Sequence, residues 1–219
     1  MIEIKKIFIT GASGGIGSAI CDKFVKKKYT LVLTSSSDEK IEKLKEKYGE
    51  NNYFYKVNLA DSDDLNNCLN TISKDHKDIS VIVNNAGVTE DNLIFRMKYE
   101  QWIKVIQTNL TSNYQIIKSL MPNMLSKKYG KIIGISSIVG STGNPGQANY
   151  VASKSGLVGL YKSIAIEVAK RNINVNIISP GFISTAMTEN LNAEQRASYL
   201  SRIPMSRFGK PEDIANLVY

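Results

Sequence analysis

Short apolar runs alternate along this chain with longer stretches in which apolar residues return every three or four positions. The first run, Ile7 to Thr10, stops at a group of glycines. From Ile16 the apolar positions Ile20 and Phe24 recur at the spacing of one helix face. Thr30 to Thr34 is β-branched and apolar, which predicts a buried strand. Ser37-Asp38 opens a second helix, with Ile41, Leu44 and Tyr48 in one stripe and Glu39 and Lys43 as an i,i+4 pair. Tyr53 to Val57 reads as a third strand, followed by a helix capped by Ser62 and carrying Leu65, Cys68, Leu69 and Ile72. Ile79 to Val83 is a continuous apolar strand, and a long helical stretch covers about Tyr99 to Ser126 with Pro122 late in it. Lys131 to Ser136 is a fifth strand. Tyr150 to Lys170 predicts a helix with Leu157, Leu160, Ile164 and Val168 inward, and Asn174 to Ile178 a sixth strand ended by Pro180-Gly181.

Strands that are apolar throughout and alternate with helices predict a parallel sheet covered on both faces. Right-handed crossovers make such an α/β sheet doubly wound and Rossmann-like, with ligands beyond the carboxyl ends of its strands. No second domain, repeat or low-complexity linker interrupts the pattern, so residues 1–219 read as one domain.

Composition narrows the class. At 42% hydrophobic and 22% charged residues the chain is globular rather than disordered. No apolar run reaches membrane-spanning length. Met1-Ile2-Glu3-Ile4-Lys5-Lys6 runs straight into the first strand and leaves no room for a signal peptide, so a cytoplasmic enzyme is expected. Cys21 and Cys68 lie far apart in helical segments and read as core filler. With His76 as the single histidine, no metal site is expected. His76 itself sits in Lys74-Asp75-His76-Lys77-Asp78 and is expected to be solvated. The net charge of +8 comes largely from scattered lysines such as Lys26-Lys27-Lys28 and Lys127-Lys128. Basic and aromatic residues do not interleave as on a nucleic-acid-binding sheet; solvated helix ends and general solubility are the first reading of that charge, and an acidic partner is the better of the specific ones.

Candidate chemistry begins at the first strand's end, in Thr10-Gly11-Ala12-Ser13-Gly14-Gly15-Ile16-Gly17. Glycines allow a sharp turn and close backbone approach, and the helix that follows aims its free N–H groups at the loop. Between a strand and an amphipathic helix, this is a place for a dinucleotide pyrophosphate. The ribose end is read about 20 residues further on, where an acid signals NAD. Here Thr34-Ser35-Ser36-Ser37 stands instead, and hydroxyls can donate to a 2′-phosphate, so NADP (as NADPH) is expected; the same serines can also cap the next helix. Asn58-Leu59-Ala60-Asp61 follows the third strand and borders the adenine in this reading. Asn84-Asn85-Ala86-Gly87 follows the fourth; its small residues admit a sugar, and Asn84 fits a structural role as well as a ligand role.

Ser137 ends the fifth strand, and Tyr150 and Lys154 stand i,i+4 on the next helix, one turn apart on one face. Reducing a ketone needs hydride on carbon and a proton on oxygen. A free tyrosine, with a pKa of about 10, is a weak acid for this, and a nearby ammonium is expected to lower that value. Ser137 would donate a hydrogen bond to the substrate oxygen, so Ser137 and Tyr150 are the substrate contacts.

Together with Asn109 and Pro180-Gly181, the segments Thr10-Gly11-x-x-x-Gly15-x-Gly17, Asn84-Asn85-Ala86-Gly87, Ser137 and Tyr150-x-x-x-Lys154 resemble the short-chain dehydrogenase/reductase family over the whole length. The resemblance implies a catalytic set of Asn109, Ser137, Tyr150 and Lys154, in which Asn109 holds a water that links the lysine to a proton relay. It also implies cofactor contacts from Gly11, Ala12, Ser13, Gly14, Gly15, Ile16, Gly17, Ser36, Asn58, Leu59, Asn85, Tyr150 and Lys154, with Ile183 against the nicotinamide carboxamide. Within the family, three stretches are similar to the bacterial-type reductases of 3-oxoacyl chains on acyl carrier protein, in fatty acid elongation. These are Asp91 to Lys98, Gly143 to Tyr150, and Pro180-Gly181-Phe182-Ile183 with Met187-Thr188. Carrier protein is acidic, and Lys128 and Arg171 match basic positions that dock it. Gly14 stands where that subfamily often has an arginine for the 2′-phosphate, which leaves that work to Ser13, Ser35 and Ser36. Members continue past the helix begun at Pro211 into a seventh strand that packs between subunits. From the end at Tyr219 the resemblance implies a C-terminal truncation and an unpaired edge at the sixth strand, with a homotetramer expected if the C-terminus is complete. A reductase of another carbonyl, such as acetoacetyl-CoA, and a binding protein without turnover are the competing readings.

Overall fold

A computed structural model describes residues 6–185 and 192–219. The expectations placed on Met1 to Lys5 and on Met187-Thr188 lie outside the described residues. Six strands form one all-parallel sheet: β1 (Lys6–Ile9), β2 (Thr30–Ser35), β3 (Tyr53–Lys56), β4 (Ile79–Asn84), β5 (Gly130–Ile135) and β6 (Ile173–Ile178). Their order is β3-β2-β1-β4-β5-β6, so the winding reverses between β1 and β4. That reversal opens a crevice at the carboxyl ends of those two strands. Among the described residues β3 and β6 are the outer strands.

The strands are apolar throughout because both of their faces are covered. Ile7 and Ile9 enter one core with Leu31, Leu33, Val81 and Val83, while Phe8 enters the other with Val32 and Ile82. Helices α1 (Gly15–Lys26) and α2 (Asp38–Tyr48) close the first core, and α3 (Ser62–Asp75), α5 (Ser112–Lys127) and α7 (Ala148–Val168) the second. Among the described residues the other α-helices are α4 (Tyr99–Ile106), the single turn α6 (Val139–Thr142), α8 (Ala193–Leu200) and α9 (Pro211–Val218). Helix α9 returns to the first core, where Ile214, Ala215 and Val218 join Ile20 and Phe24 of α1.

Three details differ from the sequence reading. Helix α3 is capped by Asp61, whose side chain accepts from the N–H groups of Asp63 and Asp64, both at 3.0 Å. Ser62 is instead the first helical residue, and its hydroxyl accepts from Gln115 Nε2 at 2.7 Å. The long helix over 99–126 is broken: α4 and α5 are joined by a π-helical turn, Gln107–Thr111. That wider turn carries the buried polar residues Thr108 and Asn109. Finally, His76 is only 3% exposed. Its Nε2 lies 2.7 Å from the Tyr55 hydroxyl, its Nδ1 3.3 Å from Lys6 Nζ, and Lys6 also meets Asp78 at 2.9 Å. Burial and then the Lys6 charge hold its pKa below the usual histidine value. Cys21 is buried filler as expected, with its thiol pushed up to about 12 by burial; Cys68 is half-buried. Among the described residues no helix is long and apolar enough to cross a membrane.

Candidate active site

The crevice between β1 and β4 is built from backbone. Gly11 has φ +64°, and a Cβ there would lie 2.9 Å from the Ala86 Cα. A Cβ at Gly17 would lie 2.1 Å from the Gly11 carbonyl oxygen. Only glycine allows α1 to start this close to the loop that feeds it. The loop after β4 is pinned to the same turn. The Thr10 hydroxyl accepts from the N–H groups of Asn85 and Ala86, both at 3.0 Å. Asn85 Nδ2 donates to the carbonyls of Thr10 and Gly11, both at 3.1 Å. Helix α1 has no capping side chain at Gly14 and no acid in its first turn. Its first N–H groups lack intrahelical acceptors, so the cradle fits an anion. Gly15 faces Thr185 from the segment after β6, 3.0 Å from where its Cβ would stand.

Around this cradle the expected cofactor residues distribute unevenly. Ser13 Oγ lies 3.0 Å from Ser35 Oγ, so the glycine loop and the end of β2 meet through hydroxyls. Ser36 is exposed, and Ser37 caps α2 by accepting from Lys40 N at 3.4 Å. The Asp38 carboxylate just beyond is paired with Lys56 at 2.6 Å. Asn58 is exposed, with its side chain turned to Ala60 N at 3.1 Å, and Leu59 packs on the second core. Ile183 bridges to Gly209. Ala12 is fully buried and Ile16 packs on the first core.

The expected catalytic residues converge beside it. Ser137 follows β5; its hydroxyl accepts from Val139 N at 3.4 Å and acts on the Tyr150 phenol, opposing the rise in its pKa. Lys154 Nζ lies 5.5 Å from the centre of the Tyr150 ring and donates to the Ile135 carbonyl at 2.8 Å. The α-carbon of Gly87 faces both ends of the set: its missing Cβ would stand 3.3 Å from Lys154 Nζ and 3.5 Å from Asn109 Oδ1. Asn109, wholly buried, accepts from Val88 N and donates to Val88 O, both at 2.9 Å, and donates to Ser153 Oγ at 3.1 Å.

The electrostatics correct one expectation. Tyr150 is not lowered here but raised above the ordinary phenol value: burial dominates, the Ser137 hydrogen bond opposes it, and the Asp91 charge adds to it. Burial also acts on Lys154, which falls from 10.5 to about 8. Desolvation disfavours the charged form of both groups, the phenolate of Tyr150 and the ammonium of Lys154.

Several supporting residues carry little signal in the sequence. Asn149, just before Tyr150, is fully buried and donates to the Glu90 and Gln101 carbonyls at 2.9 and 3.1 Å, fixing the start of α7. Asn84, the last residue of β4, donates to the Tyr161 hydroxyl at 2.8 Å, which favours its structural role. By contrast, Lys128 and Arg171 are exposed and lie together at the other end of the sheet, where Asn172 Nδ2 meets the Lys128 carbonyl at 3.3 Å. They precede β5 and β6, whereas Ser137 follows β5. The strand Gly130–Ile135 alone spans ~17 Å at ~3.3 Å per residue, so one chain does not bring these cations to its own Tyr150.

Comparison with known proteins agrees with this geometry. The family model for short chain dehydrogenase matches residues 5–196. The chain is 45% identical over 214 residues to the 3-oxoacyl-[acyl-carrier-protein] reductase FabG of Haemophilus influenzae, covering 98% of this chain and 88% of that protein. It is 46% identical over 221 residues to the FabG protein of Rickettsia conorii, covering 100% and 90%. To that of Escherichia coli it is 42% identical over 216 residues, covering 99% and 88%. On the family model and these relatives together, the chain belongs to the short chain dehydrogenase family and is an oxidoreductase acting between CH–OH and C=O groups.

Proposed function

We propose that this protein reduces the 3-oxo group of an acyl chain carried on acyl carrier protein, using NADPH, and that the whole chain acts as one cofactor-binding reductase domain. The observation that carries the reading is the meeting of Ser137, Tyr150, Lys154 and Asn109 beside a glycine cradle at the sheet's switch point. NADPH, when bound, supplies the hydride. Tyr150 gives its phenolic proton to the substrate oxygen, and Ser137 donates a hydrogen bond to the same oxygen as charge develops on it. Lys154 holds the nicotinamide ribose, and its ammonium favours the phenolate that Tyr150 leaves behind. Asn109 flanks Lys154 across Gly87, which supports the relay role given to it in this reading. The direct test is NADPH oxidation by this chain with a 3-oxoacyl substrate, compared between carrier-linked and CoA-linked forms. A preference for acetoacetyl-CoA over the carrier-linked chain would move the reading to the other carbonyl reductases.

Two observations support NADPH over NADH. Hydroxyls of Ser13 and Ser35 line the end of β2, and the first acid along the chain after them, Asp38, is paired with Lys56. Ser36→Asp puts an unpaired carboxylate beside the 2′-phosphate. We expect kcat/KM for NADPH to fall at least tenfold, ~1.4 kcal/mol, with NADH little changed. Equal losses with both cofactors would argue against the assignment.

Acyl carrier protein is the proposed partner, docking at Lys128 and Arg171. Because these lie at the amino ends of β5 and β6, a carrier docked there serves the catalytic end of a neighbouring copy. A homotetramer is therefore proposed as the working assembly. Exposed apolar side chains support it, among them Tyr99 and Ile103 of α4 and Ile166 of α7. The cytoplasm is the proposed setting, in keeping with two unpaired cysteines. Reversing both cations, Lys128→Glu with Arg171→Glu, should raise KM for the carrier-linked substrate about tenfold, an effect that weakens with salt, and leave the CoA-linked substrate unaffected.

A further inference from the structure

A buried line of polar groups runs from the catalytic helix to the π-helical turn. Tyr161 lies two turns beyond Lys154 on the same inward face of α7 and is 1% exposed. Its ring rests on β5 at Gly134, where a Cβ would come within 2.5 Å of the ring carbon that bears the hydroxyl. That hydroxyl accepts from Asn84 Nδ2 at 2.8 Å and donates to Asn113 Oδ1 at 2.9 Å. Asn113 Nδ2 in turn donates to the backbone carbonyl of Asn109 at 2.9 Å. The same turn is held from one residue earlier, where Ser112 Oγ donates to the Thr108 carbonyl at 2.6 Å.

These links bracket the loop after β4. The strand residue that leads into it, Asn84, is held by Tyr161, and its far side, Val88, is held on both backbone groups by the Asn109 side chain. Between them lie Asn85, Ala86 and Gly87, which contact the glycine turn and face Lys154. A tyrosine in an apolar helical stripe would ordinarily serve only as packing, but this one also closes a hydrogen-bond line to the site. Burial pushes its phenol well above the ordinary value, so the hydroxyl keeps the proton it donates.

We propose that Tyr161 is a positioning residue: through Asn113 it fixes the peptide of Asn109 in the π-turn, and with Asn84 it holds the Asn84–Val88 loop in register with Lys154. The proposal rests on the catalytic reading above for its kinetic consequence, and on the hydrogen bonds alone for its structural one.

Tyr161→Phe tests it, because the ring that fills the space over Gly134 stays and only the hydroxyl goes. Amide exchange in residues 107–113 and 84–88 should quicken at least tenfold while the central strands β1 and β5 hold their protection. With NADPH and a 3-oxoacyl substrate, kcat should fall about tenfold with KM for NADPH within twofold, and the alkaline limb of the pH profile should move. Asn113→Ala should reproduce the loss, and the double variant should lose no more than the larger single one. Unchanged exchange at 107–113 overturns the proposal whether or not the enzyme turns over. So does a lowered Tm with kcat intact, or additive losses in the double variant. Absence of turnover in the parent chain would instead count against the catalytic reading, and the exchange pattern would still decide for Tyr161.

Discussion

Replacing Tyr150 by phenylalanine should lower kcat for carbonyl reduction by ~10²–10⁴, the range for loss of one general acid, while NADPH still binds. The substitution removes one oxygen. The ring keeps its place over Lys154, and the glycine cradle, held by Thr10 and Asn85, does not touch the lost hydroxyl. What goes with that oxygen is the proton the substrate must receive. Fluorescence titration with NADPH beside steady-state turnover separates the outcomes. Undiminished kcat with intact binding would remove Tyr150 from the mechanism. The direction of the pKa shifts adds a pH dependence. Burial keeps the Tyr150 phenol above its usual value, so it stays protonated through neutral pH and holds the proton that the substrate must receive. Lys154 is held at about 8, so its ammonium is present below that pH and lost above it. Reduction by the parent enzyme should therefore decline as pH rises through about 8.

The features legible in the sequence were those carried by local pattern. The apolar runs at Ile7, Thr30 and Ile79 became central strands because both faces of the sheet are covered, and the glycine spacing placed the cradle between β1 and α1. The i,i+4 pair Tyr150 and Lys154 needed only a helix to share a face. What stayed hidden depended on residues distant in the chain. His76 has polar neighbours in sequence, yet Lys6 from β1 and Tyr55 from β3 enclose it. The π-turn adds no letter to the alphabet, and a stripe of period near four runs across it. Its one local trace is that Thr108, Asn109, Ser112 and Asn113 are polar at inward positions. Tyr161 carries no signal of its own in the sequence, because its two partners, Asn84 and Asn113, come from other elements. Tyr150's raised pKa is likewise a property of the folded site, since its largest cause is burial.

The second large effect is expected at Gly17, where substitution by alanine should abolish useful NADPH binding with every catalytic side chain still present. A methyl group there would stand 2.1 Å from the Gly11 carbonyl oxygen and 2.9 Å from Asn85 Nδ2. The Gly11 oxygen is backbone, so no rotamer change relieves the contact. Either α1 slides away from the loop or the turn at Gly11 opens. The first moves the helix N-terminus off the cradle. The second breaks the bonds from Asn85 Nδ2 to the Thr10 and Gly11 carbonyls and so frees the Asn85–Gly87 loop that faces Lys154. Overpacking of this kind costs ~1–3 kcal/mol, and at ~2–4 °C per kcal/mol for a chain of this size Tm should fall by several degrees. Cofactor affinity should fall further than that, by about 100-fold, because the distortion is centred on the anion cradle. Gly49→Ala separates the two effects. Gly49 has φ +73° at the end of α2 with nothing within 4 Å of its missing Cβ, so alanine there strains only the backbone. It should lower Tm and leave NADPH affinity alone. If Gly17→Ala did the same, the glycine turn would be a folding feature and the cofactor would have to be held elsewhere.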